Sequence, residues 1–187
     1  MDFDTGKTDQ KSLKGSLILA DPRLQEPTFR HSVLLLTEHS LENGAHGYIL
    51  NRPLGKKVGE LLPDPEFGDL FEIPVFVGGP VSTEHLTFSS LAWSEMDESL
   101  QYSTHLSAKE ALNHIDEGFS IRAFVGYSGW SGGQLESELK EKAWIPHEPK
   151  KAVVSETDLD TLWKRMLREL SPEYRLYTDE PDDLSLN

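Results

Sequence analysis

Apolar residues in this chain gather first in short runs and later in helically spaced stripes. Residues 15–20 (GSLILA), 31–38 (HSVLLLTE) and 47–50 (GYIL) are brief apolar segments bounded by proline, glycine or charge, which predicts three strands. Asp21-Pro22 and Glu26-Pro27 mark a loop between the first two, because a residue before proline is pushed out of helical geometry. Asn43-Gly44 readily supplies positive φ, so the second and third strands read as a hairpin with a slightly long loop. Residues 58–62 suggest a single helical turn stopped by Pro63, and 64–69 a loop. A buried strand over 74–77 ends at Gly78-Gly79-Pro80. A half-buried strand over 85–91 and a short one over 100–105 follow.

Helical spacing takes over from there. Ser107 and Glu110 form a capping box ahead of Ala108, Ala111, Leu112 and Ile115 on one face, with Gly118 ending the helix. Residues 119–125 (FSIRAFV) return as a strand. Ser131 with Gln134 repeats the capping-box pattern before a helix carrying Leu135, Leu139 and Ala143. Residues 152–154 are a short strand candidate. Ser155 and Asp158 are placed to cap a last helix, whose stripe is Leu159, Leu162, Trp163, Met166, Leu167 and Leu170 and which Pro172 stops. That stripe is expected to face the core. Strands in a run, then helices, predict an α+β fold with a mixed, mostly antiparallel sheet. The division expected is a flexible segment over 1–14, one domain over 15–171, and an acidic tail over 172–187.

Composition narrows the function. The chain has 187 residues, enough for one domain with a real core, and its apolar and charged fractions of 37% and 27% are globular. With no cysteine it has no disulfide, thiolate zinc site, iron–sulfur cluster or cysteine nucleophile. A formal charge of −14 disfavours direct nucleic-acid binding, although Arg52, Lys56 and Lys57 form a small basic cluster. No apolar run is long enough to span a bilayer and the start lacks a signal-peptide pattern, so a cytoplasmic protein is expected.

The stretch Gly126-Tyr127-Ser128-Gly129-Trp130-Ser131-Gly132-Gly133-Gln134-Leu135-Glu136 carries the densest candidate chemistry. Gly129-Trp130-Ser131-Gly132-Gly133 fits the G-x-S-x-G nucleophile elbow, with Ser131 as the candidate catalytic residue and His147 and Glu138 or Glu141 as triad partners. A small serine hydrolase is therefore one alternative. Against it, the chain after Ser131 is too short for the remaining strands of an α/β-hydrolase, and an N-cap serine commits its oxygen to a backbone N–H. The plainer reading is a polar-ligand site walled by Tyr127 and Trp130. Two other apolar strands end in similar texture, at Asn51-Arg52-Pro53 and Gly78-Gly79-Pro80-Val81. If the three turns meet, Asn51, Arg52, Gly78, Gly79, Tyr127, Gly129 and Trp130 line one pocket. Glu38, His39 and His46 lie near the hairpin ends, without a standard metal spacing. Neither the phosphate-binding P-loop pattern nor G-x-G-x-x-G is present, and no cofactor or metal is expected.

Taken in order, these segments resemble the AlgH/YqgE family of small bacterial proteins. The resemblance rests on Gly15 to Ala20 with Pro22, Phe29 with Ser32-Val33, and Glu38-His39. It continues through Gly44-Ala45 with Gly47, Asn51-Arg52-Pro53 and Gly78-Gly79-Pro80-Val81. Gly126-Tyr127, Gly129-Trp130, Gly133 to Glu136, Glu138 and Trp144 complete it. It spans roughly residues 15–170. The resemblance implies a barrel-like sheet flanked by helices and a family without an established activity, some members of which carry a transcriptional-regulator label. It implies no catalytic residues and does not demand serine at Ser131. The chain lacks a recognisable DNA-reading helix. The expected function is therefore a non-enzymatic module that binds a protein partner or a small polar ligand, with an indirect role in transcription. A direct DNA-binding regulator is the remaining alternative.

Overall fold

In the computed structural model, which describes residues 12–178, nine strands form one curled, mixed sheet with helices packed around it. In chain order the strands are β1 (Leu17–Ala20), β2 (Val33–Ser40), β3 (Gly44–Ile49), β4 (Pro53–Lys57), β5 (Pro74–Val77), β6 (Val81–Ser94), β7 (Ser99–Leu106), β8 (Ser120–Trp130) and β9 (Trp144–His147). The helices are α1 (Val58–Leu61), α2 (Ala108–Asp116), α3 (Gln134–Lys140), α4 (Ala152–Ser155), α5 (Leu159–Leu170) and α6 (Arg175–Thr178). Sheet order is β4-β5-β8-β3-β2-β1-β9, with β6 joining β8 to β7. Only β5 and β8 pair in parallel among the described strands.

Long β8 is the hub. Its first half hydrogen-bonds β5 on one edge and β6 on the other, and its second half leaves β5 for β3. The apolar runs of β1 and β2 do not alternate with polar residues because both faces of the sheet are covered. Leu17, Leu19, Val33 and Leu35 pack against α5, whereas Ile18, Ala20, Leu34 and Leu36 pack with Trp130, Leu135 and Trp144. A third cluster, with Val75, Phe88, Ala111, Ile121 and Ala123, lies under α2.

The middle of the α5 stripe is core as expected: Leu162, Trp163, Met166 and Leu167 are buried, while Leu159 is half-buried and Leu170 exposed, and the Trp163 indole donates to the Ala20 carbonyl at 2.8 Å. Burial of each such side chain contributes roughly 1.5–3 kcal/mol. The Ser107–Glu110 capping box of α2 is formed in both directions.

Several local expectations are corrected. Residues 152–154 belong to helix α4, and 65–70 form a 3-10 helix whose N-cap Asp64 accepts from the Glu66 N–H. Ser155 ends α4 and does not cap α5. Strands β4 and β9 had no sequence signal: β4 is exposed throughout, and β9 contains Pro146. The strand expected over 85–91 runs from Val81 to Ser94. Residues 126–130, expected as a turn, continue β8 to Trp130, because β3 supplies the ladder that β5 no longer does.

At the N-terminus, Ser12–Lys14 lie on the β2–β3 hairpin: Ser12 Oγ donates to the His39 carbonyl at 3.0 Å and Lys14 Nζ to the Glu38 carboxylate. Residues 1–11 of the expected flexible segment, and 179–187 of the expected tail, lie outside the described residues. Residues 172–174 form a 3-10 turn leading into α6, where Thr178 is buried. No helix among the described residues is long and apolar enough to cross a membrane.

One core group is unusual. Arg122 on β8 is 5% exposed, with no ion pair to a carboxylate among the described residues. Its guanidinium donates to the carbonyls of Leu50 (3.0 Å) and Val153 (2.8 Å) and lies 5.0 Å from the centre of the Phe76 ring. Burial lowers its pKa to about 10.

Candidate functional site

The glycines around Gly126 permit close backbone approach, as the sequence suggested. Gly126 has a φ of +67° within β8, and a Cβ there would lie 2.4 Å from the Gly79 carbonyl oxygen. The Gly78-Gly79 turn is thereby seated on Gly126-Tyr127. Gly78 N–H donates to Val125, while its carbonyl accepts from Ile49 N–H (2.9 Å) and Ser128 Oγ (3.1 Å). Two of the three expected turns therefore meet.

The third is engaged differently. Asn51 Oδ1 accepts from Val33 N–H at 2.8 Å and its Nδ2 donates to the His31 carbonyl at 2.9 Å. Arg52 donates to the carbonyls of Pro27 and Arg30. Both side chains staple the 27–31 loop to the end of β3. They line neither of the cavities described next, and neither do Gly78 and Gly79. Of the basic cluster that includes Arg52, Lys57 pairs with Glu72.

Tyr127, Gly129 and Trp130 do line a cavity, of about 650 Å³, together with Glu38, His39 and Asn43 from the hairpin. Its wall includes the Tyr127 ring, stacked on His46 with centroids 4.1 Å apart. Beyond that pair lies a second cavity of about 360 Å³, which shares His46 and Tyr127 in its lining. Burial, and then the nearby His105, lower the His46 pKa. Burial likewise raises the pKa of the Tyr48 phenol on the second cavity.

His39 is held from both sides. Its Nδ1 accepts the Leu13 N–H at 2.9 Å, so Nε2 carries the proton and donates to Glu136 Oε1 at 2.9 Å. Both side chains are nearly fully buried, and Glu136 Oε2 has no hydrogen-bond partner. Glu38, His39 and His46 do not make a metal centre, and no group of three or more possible ligands is so arranged among the described residues.

The elbow triad is not assembled. Gly133, in a left-handed conformation, is the N-cap of α3, so Ser131 is not the cap; of the expected box only one half forms, Gln134 Oε1 accepting the Ser131 N–H at 3.0 Å. Ser131 Oγ donates to Gln134 Oε1 at 3.2 Å. His147, on β9, interacts through Nδ1 with the Glu148 carbonyl. Glu138 Oε2 accepts both indole N–H groups, from Trp130 (2.9 Å) and Trp144 (2.7 Å), while Oε1 accepts from Gln134. Glu141 accepts from Ser137. Trp130 is thus a buried residue anchored by a carboxylate, with its edge at the cavity.

Sequence reasoning missed Tyr48, Ser82, His85 and His105, all of which line the second cavity. A signal existed for two of them: Ser82-Thr83-Glu84-His85 interrupts apolar Val81 and Leu86, as an out-looped segment does.

A family pattern described as AlgH-like matches residues 17–175. A UPF0301 protein of Streptomyces coelicolor is 36% identical, over 98% of this chain and 100% of its own length. Another from Parabacteroides distasonis is 33% identical, over 99% and 96%. The solution structure of the AlgH protein from Pseudomonas aeruginosa superposes with a TM-score of 0.61 at 25% identity, covering 95% of this chain and 98% of that one. A crystal structure of a Corynebacterium diphtheriae protein has a TM-score of 0.69 at 20% identity, over 89% and 92%, which is a likeness of fold.

Proposed function

The chain belongs to the AlgH-like family, and on that premise we propose that it is a non-enzymatic, cytoplasmic binding module whose ligand sits against Tyr127. The observation that carries the reading is the Tyr127–His46 stack, which stands between two cavities at the hub strand of the sheet. The larger cavity combines aromatic walls with a carboxylate and amide and imidazole groups from the hairpin, which suits a small polar ligand of mixed character. Occupancy there presses on the hairpin and on β8 together, so a ligand is able to alter the surface offered to a protein partner. An indirect regulatory role follows from that coupling rather than from nucleic-acid contact, which the −14 charge opposes.

A metabolite screen by thermal shift tests this. A ligand at 100 times its dissociation constant adds about 2.7 kcal/mol, or roughly 5–11 °C in a domain of this size. The hit should also change Trp130 emission and lose its effect in Tyr127→Ala. Stabilisation that survives Tyr127→Ala, or a broad screen with no hit, overturns the proposal.

A further inference from the structure

We propose that the smaller cavity is a recognition site for a small phosphate-bearing ligand, held by His46, His85 and His105. Three separate irregularities of the sheet deliver these histidines to one place. In the β2–β3 ladder the register shifts between Leu36 and Glu38, opposite His46. In the β6–β8 ladder it shifts between Val81 and Leu86, so residues 82–85, His85 among them, loop out opposite Gly126. In the β6–β7 ladder it shifts between Phe88 and Ser90, with one extra residue on β7 beside His105. Bulges of this kind re-aim side chains and concentrate next to functional sites. Two of the residues they place, Ser82 (φ +51°) and His105 (φ +59°), hold left-handed backbone without being glycine. Such conformations cost of order 1–3 kcal/mol each and persist where surrounding structure imposes them.

The chemistry of the lining points to an oxyanion. The chain carries 32 acidic residues, yet none lines this cavity. Its polar groups are the three imidazoles, the hydroxyls of Ser82 and Thr87, and the phenols of Tyr48 and Tyr127, every one able to donate a hydrogen bond. Leu86 and the tyrosine rings leave room for a small carbon skeleton. The ring nitrogens are not grouped to share a metal. The charged and titratable neighbours are few. His46 faces His105, Tyr48 and Tyr127, with Glu38 acting on it from β2. His85 pairs with exposed Glu84 through Nδ1 at 3.0 Å, and His105 touches Thr104. A bound phosphate accepts hydrogen bonds from this lining, and an imidazolium holds an oxyanion more strongly than a neutral imidazole does.

The site shares His46 and Tyr127 with the larger cavity but is distinguishable from it. Trp130 lines that one only, and His85 and His105 line this one only. The test titrates the full chain with inorganic phosphate and with phenyl phosphate, following the imidazole proton resonances, with phenol as the neutral control. Phenyl sulfate, whose charge is fixed across this range, carries the pH comparison between about 6 and 8. Expected are saturable shifts confined to His46, His85 and His105, no change in Trp130 emission, and tighter phenyl sulfate binding at the lower pH. Tighter binding of phenyl phosphate than of inorganic phosphate identifies an ester, and equal binding identifies free phosphate. His85→Gln and His105→Asn each weaken binding about tenfold, the share of one charge-assisted hydrogen bond. The Asn keeps the left-handed conformation accessible, so the fold is retained. Non-saturable shifts at all histidines, or wild-type affinity in both variants, overturns the proposal. A Trp130 response without shifts at His85 and His105 places the ligand in the larger cavity and also overturns it.

Discussion

Gly126→Ala isolates the close contact that seats the Gly78-Gly79 turn on β8. Two costs are separable. A non-glycine residue at φ +67° costs about 1–2 kcal/mol, partly offset by the smaller conformational entropy of alanine in the unfolded chain, roughly 0.4–1 kcal/mol. The second cost is steric. The new Cβ lies 2.4 Å from the Gly79 carbonyl oxygen and 2.9 Å from that of Val81, both backbone atoms that no rotamer change can move. Gly79 must retreat by several tenths of an ångström, straining the neighbouring bonds from Gly78 N–H to Val125 and from Ile49 N–H to Gly78. Overpacking of this kind adds about 1–3 kcal/mol. The total loss is about 3 kcal/mol, a fall of roughly 6–12 °C in Tm. Gly55→Ala is the control. Gly55 has a φ of +73°, but an added methyl there would meet nothing within 4 Å, so it carries the first cost alone and loses about 1 kcal/mol, or roughly 2–4 °C. Calorimetry of the two variants side by side checks the reasoning. Equal losses would refute it, because the steric half of the argument would then be empty.

Two further outcomes follow from buried charge. Arg122→Lys is expected to destabilise more than Arg122→Met, since lysine keeps the buried charge but replaces the fork that reaches Leu50 and Val153. Methionine leaves those two carbonyls unpartnered but removes a charge whose burial lowers its pKa to about 10, at a net cost of about 1–3 kcal/mol by denaturant titration. Lysine as stable as the parent would contradict this. For His46, burial places the folded pKa below the unfolded value of 6.5, so the unfolded chain binds the extra proton first. Its contribution is therefore neutral above pH 6.5 and turns destabilising as pH falls below that value. His46→Phe should flatten the loss of stability just under pH 6.5, and an unchanged acid limb in that variant would count against the assignment.

The parts of the fold that the sequence made legible are those where local pattern and packing agree. The α5 stripe, the Ser107–Glu110 box and the apolar runs of β1 and β2 each state their burial directly. Strands β4 and β9 were invisible because their pairing comes from distant partners: Pro53–Lys57 is exposed along its length and held by β5, and β9 is held by β1. The same reason hid the true course of residues 126–130. Gly126 and Gly129 in that stretch read as a turn, but Gly126 makes room for Gly79 beside a strand that continues along β3. At the candidate site, Tyr127, Gly129 and Trp130 were legible as aromatic and glycine texture. Asn51 and Arg52 looked the same in one dimension, and only the position of the 27–31 loop shows that their donors are occupied. His85 and His105 carry no local motif. Bulges bring them together, and a bulge depends on the register of two strands at once.

The sheet order also bears on how the protein must be made. Strand β1 is fully buried and sits between β2 and β9, the last of the described strands. As the polypeptide leaves the ribosome, Leu17–Ala20 can pair with β2 early, but its other edge stays open until Trp144–His147 has emerged. At about 5–20 residues per second that interval lasts roughly 6–25 s, with an apolar strand edge and the seat of Trp144 exposed throughout. A nascent chain of this design is open to edge-to-edge association during that window. Any truncation before Trp144 makes the exposure permanent and turns an interior strand into a template for aggregation.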